Sequence, residues 1–95
     1  MKKLFIIAMI AVAPVSAKDR CESVHSISET SMKLRQNNFP MPKLMAMAGD
    51  NESAKSIVSM AYEYPVWTTK ETKLKAIKEF GNEMASKCYG GKLLD

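Results

Sequence analysis

The chain has 95 residues, 46% of them hydrophobic and 25% charged, with a formal net charge of +4. That length allows one small domain, with a core too small to surround a deep active site. The charge is too slight to mark a nucleic-acid binder.

The N-terminus reads Met1-Lys2-Lys3, then an almost wholly apolar run from Leu4 to Pro14, then Val15-Ser16-Ala17. Two lysines ahead of about a dozen apolar residues have the form of a secretory signal, with small side chains at Val15 and Ala17 before a cut after Ala17. The run falls short of the roughly 20 residues that a transmembrane helix needs. The expectation is a signal peptide over residues 1–17, removed on export. Residues 18–95 would then be a single helical domain in the periplasm of a bacterium, encoded by it or by one of its phages, with no membrane span. Loss of Lys2 and Lys3 leaves 12 basic against 10 acidic residues, net +2. Lys70, Lys73, Lys75 and Lys78 are the one dense basic stretch. On a helix they spread over a broad arc, the pattern of a solvated face.

Strand signals are poor, whereas helical periodicity is clear. A first helix is predicted from Glu22 to Asn37, with Val24, Ile27, Ser31 and Leu34 as its apolar seam and Met32 beside it. Asn37 and Asn38 end it before the turn Phe39-Pro40-Met41-Pro42. Pro42 suits the first position of a short second helix, where its missing N–H has no partner to lose. That helix carries Leu44, Met45, Met47 and Ala48, and Gly49 is its stop. Asp50 or Asn51 caps a third helix, whose Ala54, Ile57, Val58, Ala61 and Tyr62 make one buried face and which runs up to Pro65. Thr68 and Glu71 are spaced as a capping box for the fourth helix. Its seam is Leu74, Ile77, Gly81, Met84 and Cys88, with Phe80 widening it. Gly81 weakens a helix interior, so its place on the seam predicts a close approach by a neighbour. Residues 90–95 are expected to fray after Gly90-Gly91.

Two cysteines in an exported chain imply one disulfide, Cys21–Cys88. A bridge closing so long a loop stabilises by roughly 4 kcal/mol in the chain-entropy model. A redox site would show the C-x-x-C spacing, which is absent, and a zinc site would need more ligands than two cysteines and His25 offer. Cys21 falls just before the first helix and Cys88 at the end of the last. The predicted fold is therefore all-α: a compact bundle of four to five short helices closed by one disulfide near the termini.

Few residues suggest chemistry. Glu22, His25, Ser28 and Glu29 share one helical turn or the next, but a single polar helix surface explains them. Glu79 and Glu83 alternate with Lys75, Lys78 and Lys87 as ordinary helix-surface pairs. No phosphate-loop, dinucleotide, H-E-x-x-H or EF-hand pattern is present. Neither catalytic residues nor metal ligands nor a cofactor are expected. Six methionines follow the expected signal, and Met41, Met45 and Met47 cluster on the short helix, where they suit core packing or an adaptable surface. The best contact candidates are Tyr64, Pro65 and Trp67, aromatics on a proline-stiffened turn. These rings either face a partner or fold inward over the small core. Phe39 and Met41 extend the same surface if the two proline-rich turns lie at one end of the bundle.

The chain order of a Cys-Glu start, Met32-Lys33-Leu34-Arg35-Gln36, Met41-Pro42-Lys43-Leu44-Met45, Ala61-Tyr62-Glu63-Tyr64-Pro65, Ile77 to Glu83 and a closing Cys88-Tyr89 resembles small exported helical proteins of proteobacteria and phages with a terminal cysteine pair. The resemblance spans nearly all of residues 18–95 and implies a disulfide-closed helical domain. It implies no activity. Spackle-like phage proteins, which block lysozyme-type enzymes, and periplasmic acid-stress chaperones are similar in outline only. The functional expectation is a small periplasmic binding or inhibitory protein that contacts a periplasmic or cell-envelope protein. The alternatives are an acid-stress-type chaperone and a spackle-like lysozyme inhibitor.

Overall fold

A computed structural model describes residues 17–91. Residues 1–16 of the expected signal segment (1–17) and residues 92–95 of the expected frayed tail (90–95) lie outside the described residues. Four helices follow one another: α1 (Ala17–Gln36), α2 (Met41–Ala48), α3 (Glu52–Ala61) and α4 (Lys70–Tyr89), and no strand occurs among the described residues. The two 20-residue helices, α1 and α4, form the frame. They pack mainly on each other, α3 lies against α1, and α2 leans on α3.

Local chemistry sets most of the boundaries. Asn38 takes the left-handed conformation at φ 63°, which Asn tolerates better than most residues. It lets the Phe39 N–H reach back to the Leu34 carbonyl at 2.9 Å and the Asn38 N–H to that of Arg35 at 3.0 Å. That pair of bonds is a Schellman stop, which satisfies carbonyls that the helix end leaves free. Pro42 occupies the first turn of α2, and Gly49 ends it at φ 63°. Asn51 caps α3 by accepting the Ala54 N–H at 3.0 Å. Three boundaries differ from the sequence reading. α1 already includes Ala17, so Cys21 lies inside the helix. α3 stops at Ala61, because Glu63 and Tyr64 turn back on Met60 and Ala61 carbonyls. α4 is capped by Thr69, whose hydroxyl accepts the Thr72 N–H, and not by a Thr68–Glu71 box.

The disulfide joins Cys21 to Cys88 across 67 residues, at the N-terminal end of α1 and the C-terminal end of α4. At the opposite end the Lys73 ammonium donates to the Gln36 carbonyl at 2.7 Å. α1 and α4 are thus antiparallel. Cys21 and Gln36 are separated by the same 15 positions as Lys73 and Cys88. Val24, Met32, Ile57, Ala61, Phe80 and Met84 form the core between α1, α3 and α4. The buried stripe of α1 is Cys21, Val24, Ser28, Ser31, Met32 and Gln36, while Ile27 and Leu34 are half-buried. Ser28 is tolerated there because its hydroxyl donates to the Val24 carbonyl at 2.6 Å. On α4, Leu74 is 48% exposed. Half-buried Lys73 takes the terminal seam position instead, with its aliphatic stem along the helix pair and its ammonium on Gln36.

Gly81 is buried where His25 and Glu29 cross it. A Cβ there would stand 2.6 Å from Glu29 Cγ and 3.2 Å from His25 Nε2. The expected close approach is present, made by side chains of α1 lying flat over the α4 backbone.

Two outcomes follow from this packing. Reduction of Cys21–Cys88, or its replacement by a serine pair, is expected to lower stability by about 4 kcal/mol, measured as the denaturation midpoint with and without reductant. Gly81→Ala is expected to lose the roughly 1 kcal/mol that alanine ordinarily gains over glycine in a helix, whereas in a Glu29→Ala background the same change should recover it. Equal effects in the two backgrounds would show that Glu29 does not restrict the site.

Candidate functional site

The end of the frame away from the disulfide holds the segment between α3 and α4. Its backbone is tied to the last turn of α1 by two neighbouring side chains. Arg35 Nε donates to the Tyr64 carbonyl at 2.9 Å. Gln36, 1% exposed, donates through Nε2 to the Pro65 carbonyl at 2.9 Å and accepts the Trp67 N–H through Oε1 at 2.8 Å. Its Nε2 also touches Met32 Sδ at 3.4 Å. A buried amide is costly unless paired; here both its oxygen and its nitrogen meet backbone groups that have no helical partner. The Arg35 guanidinium also lies 5.1 Å from the centre of the Tyr62 ring, within cation–π range. The Tyr62 hydroxyl donates to the Phe39 carbonyl, which brings the two proline-rich turns to one end of the bundle. Burial raises the Tyr62 pKa, opposed by the Arg35 charge.

The five candidate contact residues divide. Tyr64 turns its ring edge to Phe80, with centres 5.5 Å apart at 72°, and is half-buried. Its hydroxyl donates to Glu83 Oε1 at 2.7 Å. That bond, then desolvation, then the charges of Glu83, Glu63 and Glu79 push its pKa up to about 12, so the phenol is a neutral donor at ordinary pH. Trp67 is 41% exposed. The two rings of the aromatic turn therefore differ: Tyr64 covers the core and Trp67 stays partly exposed. Between them opens a groove of about 260 Å³, floored by Phe80 and Ala76 and edged by Thr72, Lys75, Glu79 and Glu83. Pro65 is exposed, and Phe39 and Met41 are half-buried. These three share this end of the molecule but do not line the groove.

The other sequence candidates have structural surroundings. His25 Nε2 is 3.5 Å from Glu29 Oε2 above Gly81, and the Ser28 hydroxyl is bonded to Val24, so the two do not form a nucleophile–base pair. Met32 and Met84 are core residues, whereas Met47 is 70% exposed. It borders a second groove of about 350 Å³ with Ile27, Leu44 and Val58. Among the described residues, no group of three or more His, Cys, Asp or Glu side chains is placed to hold a metal ion, and no helix is long and apolar enough to cross a membrane.

Sequence reasoning missed Gln36. Its neighbours on either side are charged or amide residues at a helix end, which reads as solvated surface. Substituting Gln36→Leu is expected to strip the Pro65 carbonyl and the Trp67 N–H of their partner together. At about 1–3 kcal/mol for each buried group left unsatisfied, the expected loss is about 2–6 kcal/mol by denaturant titration. The Trp67 emission should also move toward that of a mobile indole. No protein-family model, curated protein or solved structure matches this chain.

Proposed function

We propose that this chain is a small exported binding protein that acts through protein–protein contacts, with the Tyr64–Trp67 groove as its contact face and a protein of the periplasm or cell envelope as its partner. The signal-like N-terminus, the disulfide and the absence of a membrane-crossing helix among the described residues are compatible with export. The observation that carries the reading is the treatment of Trp67. Its backbone is fixed by a buried amide while its indole stays 41% exposed beside a groove. A large aromatic held in advance loses little entropy on binding, and tryptophan is enriched among residues that dominate interfaces. Binding is favoured over catalysis because the lone histidine has no hydroxyl nucleophile paired with it, the nearby Ser28 donating instead to the Val24 carbonyl.

A chaperone of the acid-stress type is the second reading, favoured by the groove beside exposed Met47. The two use different surfaces, since no residue lines both grooves. Capture of an envelope protein at neutral pH by the immobilised chain is expected to weaken by about thirtyfold or more in Trp67→Ala, the equivalent of a contact worth about 2 kcal/mol, with helicity unchanged by circular dichroism. Client protection that appears only at acid pH and is indifferent to Trp67→Ala would select the chaperone instead.

A further inference from the structure

We propose that the groove receives an arginine side chain of the partner, its guanidinium stacked on the Trp67 indole and its N–H fork directed at the carboxylates of Glu79 and Glu83. The inference rests on the reading of this groove as the contact face and adds the chemistry of its occupant.

Size gives the first argument. About 260 Å³ falls below the range of roughly 300–1,000 Å³ in which small-molecule ligands are enclosed, and suits one long side chain. Charge gives the second. The chain as a whole is basic, yet the charged residues edging this groove are two glutamates and one lysine. Glu79 and Glu83 are one helical turn apart, so their carboxylates lie on the same face of α4. Glu83 is already oriented, because Tyr64 donates to its Oε1 at 2.7 Å and Tyr64 is itself braced on Phe80. The intrahelical cations hold loosely. Lys75 Nζ is 4.0 Å from Glu79 Oε2 with its side chain 74% exposed, and Lys87 Nζ is 3.7 Å from Glu83 Oε2. Such exposed pairs contribute little and yield to a better-shaped cation.

Shape selects arginine over lysine. A guanidinium is planar, more weakly hydrated than an ammonium, stacks on aromatic faces and forks onto carboxylates. An indole face beside two carboxylates meets both of its preferences at once.

The test titrates the full chain, isotope-labelled, with acetyl-Gly-Arg-Gly-amide and with its Lys, Leu and Glu counterparts at low ionic strength. The Trp67 indole N–H resonance is the reporter. The Arg peptide is expected to shift it saturably, the Lys peptide to bind several-fold more weakly, and the Leu and Glu peptides to leave it unmoved. The Glu79→Gln/Glu83→Gln variant, which keeps an acceptor for Tyr64, should weaken the Arg peptide by about tenfold or more, and Lys75→Ala should tighten it. A Leu or Glu peptide that binds as well as the Arg peptide would overturn the proposal, as would an Arg response indifferent to the two glutamates. Partner capture separates the two levels. If Trp67→Ala abolishes capture but the double glutamine variant does not, the contact face stands and its arginine occupant falls. If neither variant changes capture, the contact face falls as well.

Discussion

Cys21–Cys88 at one end of the α1–α4 pair and Gln36 with Lys73 at the other fix these two helices in a single antiparallel register. Everything else is placed by that register. It sets the Val24, Ser28 and Met32 stripe of α1 against Phe80, Gly81 and Met84 of α4, and α3 adds Ile57 and Ala61 to close the core. It also lays His25 and Glu29 across the one position of α4 that has no side chain. A slip by one helical turn would drive Glu29 into a side chain and draw Gln36 away from the loop that it holds. A disulfide alone constrains the unfolded ensemble; the Lys73–Gln36 bond gives the folded state a second reference point, one that depends on geometry and not on chain connectivity.

The contrast between the two ends explains why the Tyr64–Trp67 groove sits where it does. At the disulfide end the helices are closed on each other by a covalent bond. At the other end the chain has to cross from α3 to α4, and the crossing segment has backbone groups that no helix satisfies. Arg35 and Gln36 satisfy three of them, at Tyr64, Pro65 and Trp67, and so tie a stretch without regular hydrogen bonding to the end of α1. Only the side chains of that stretch remain free to differ, and Tyr64 and Trp67 take opposite roles there. The groove is the space left between a ring drawn into the core and a ring that stays out.

Much of the frame was legible in the sequence. Asn51, Gly49 and the Asn37-Asn38 pair mark helix ends through local backbone chemistry, and local chemistry does not depend on tertiary context. The pairing of Cys21 with Cys88 followed from there being two cysteines. That Ala17 to Arg20 belong to α1 was not legible, because they carry no apolar period to extend the seam. Leu74 was misplaced for a related reason: periodicity counts apolar residues, and the seam at that end is completed by the stem of Lys73. The candidate site was half legible. Tyr64 and Trp67 were identifiable as aromatics on a stiff turn, but which of them faces inward depends on Phe80 and Glu83, and both lie on another element. Gln36 left no signal at all, since its partners are backbone groups about 30 positions away, and backbone groups are the same in every sequence.

The long loop closed by the disulfide has one further consequence. α2, α3 and all three connecting segments lie between Cys21 and Cys88, so a protease that nicks any exposed turn among them produces two fragments that remain covalently one molecule. Cleavage near Asn38 or Asp50 would open the chain without releasing either piece, and α1 and α4 would still meet through their shared core. The fold can therefore outlast a cut that would dissociate an unbridged bundle of the same size. Under proteolysis, survival after the first scission then bears on the lifetime of such a chain as much as resistance to that scission does.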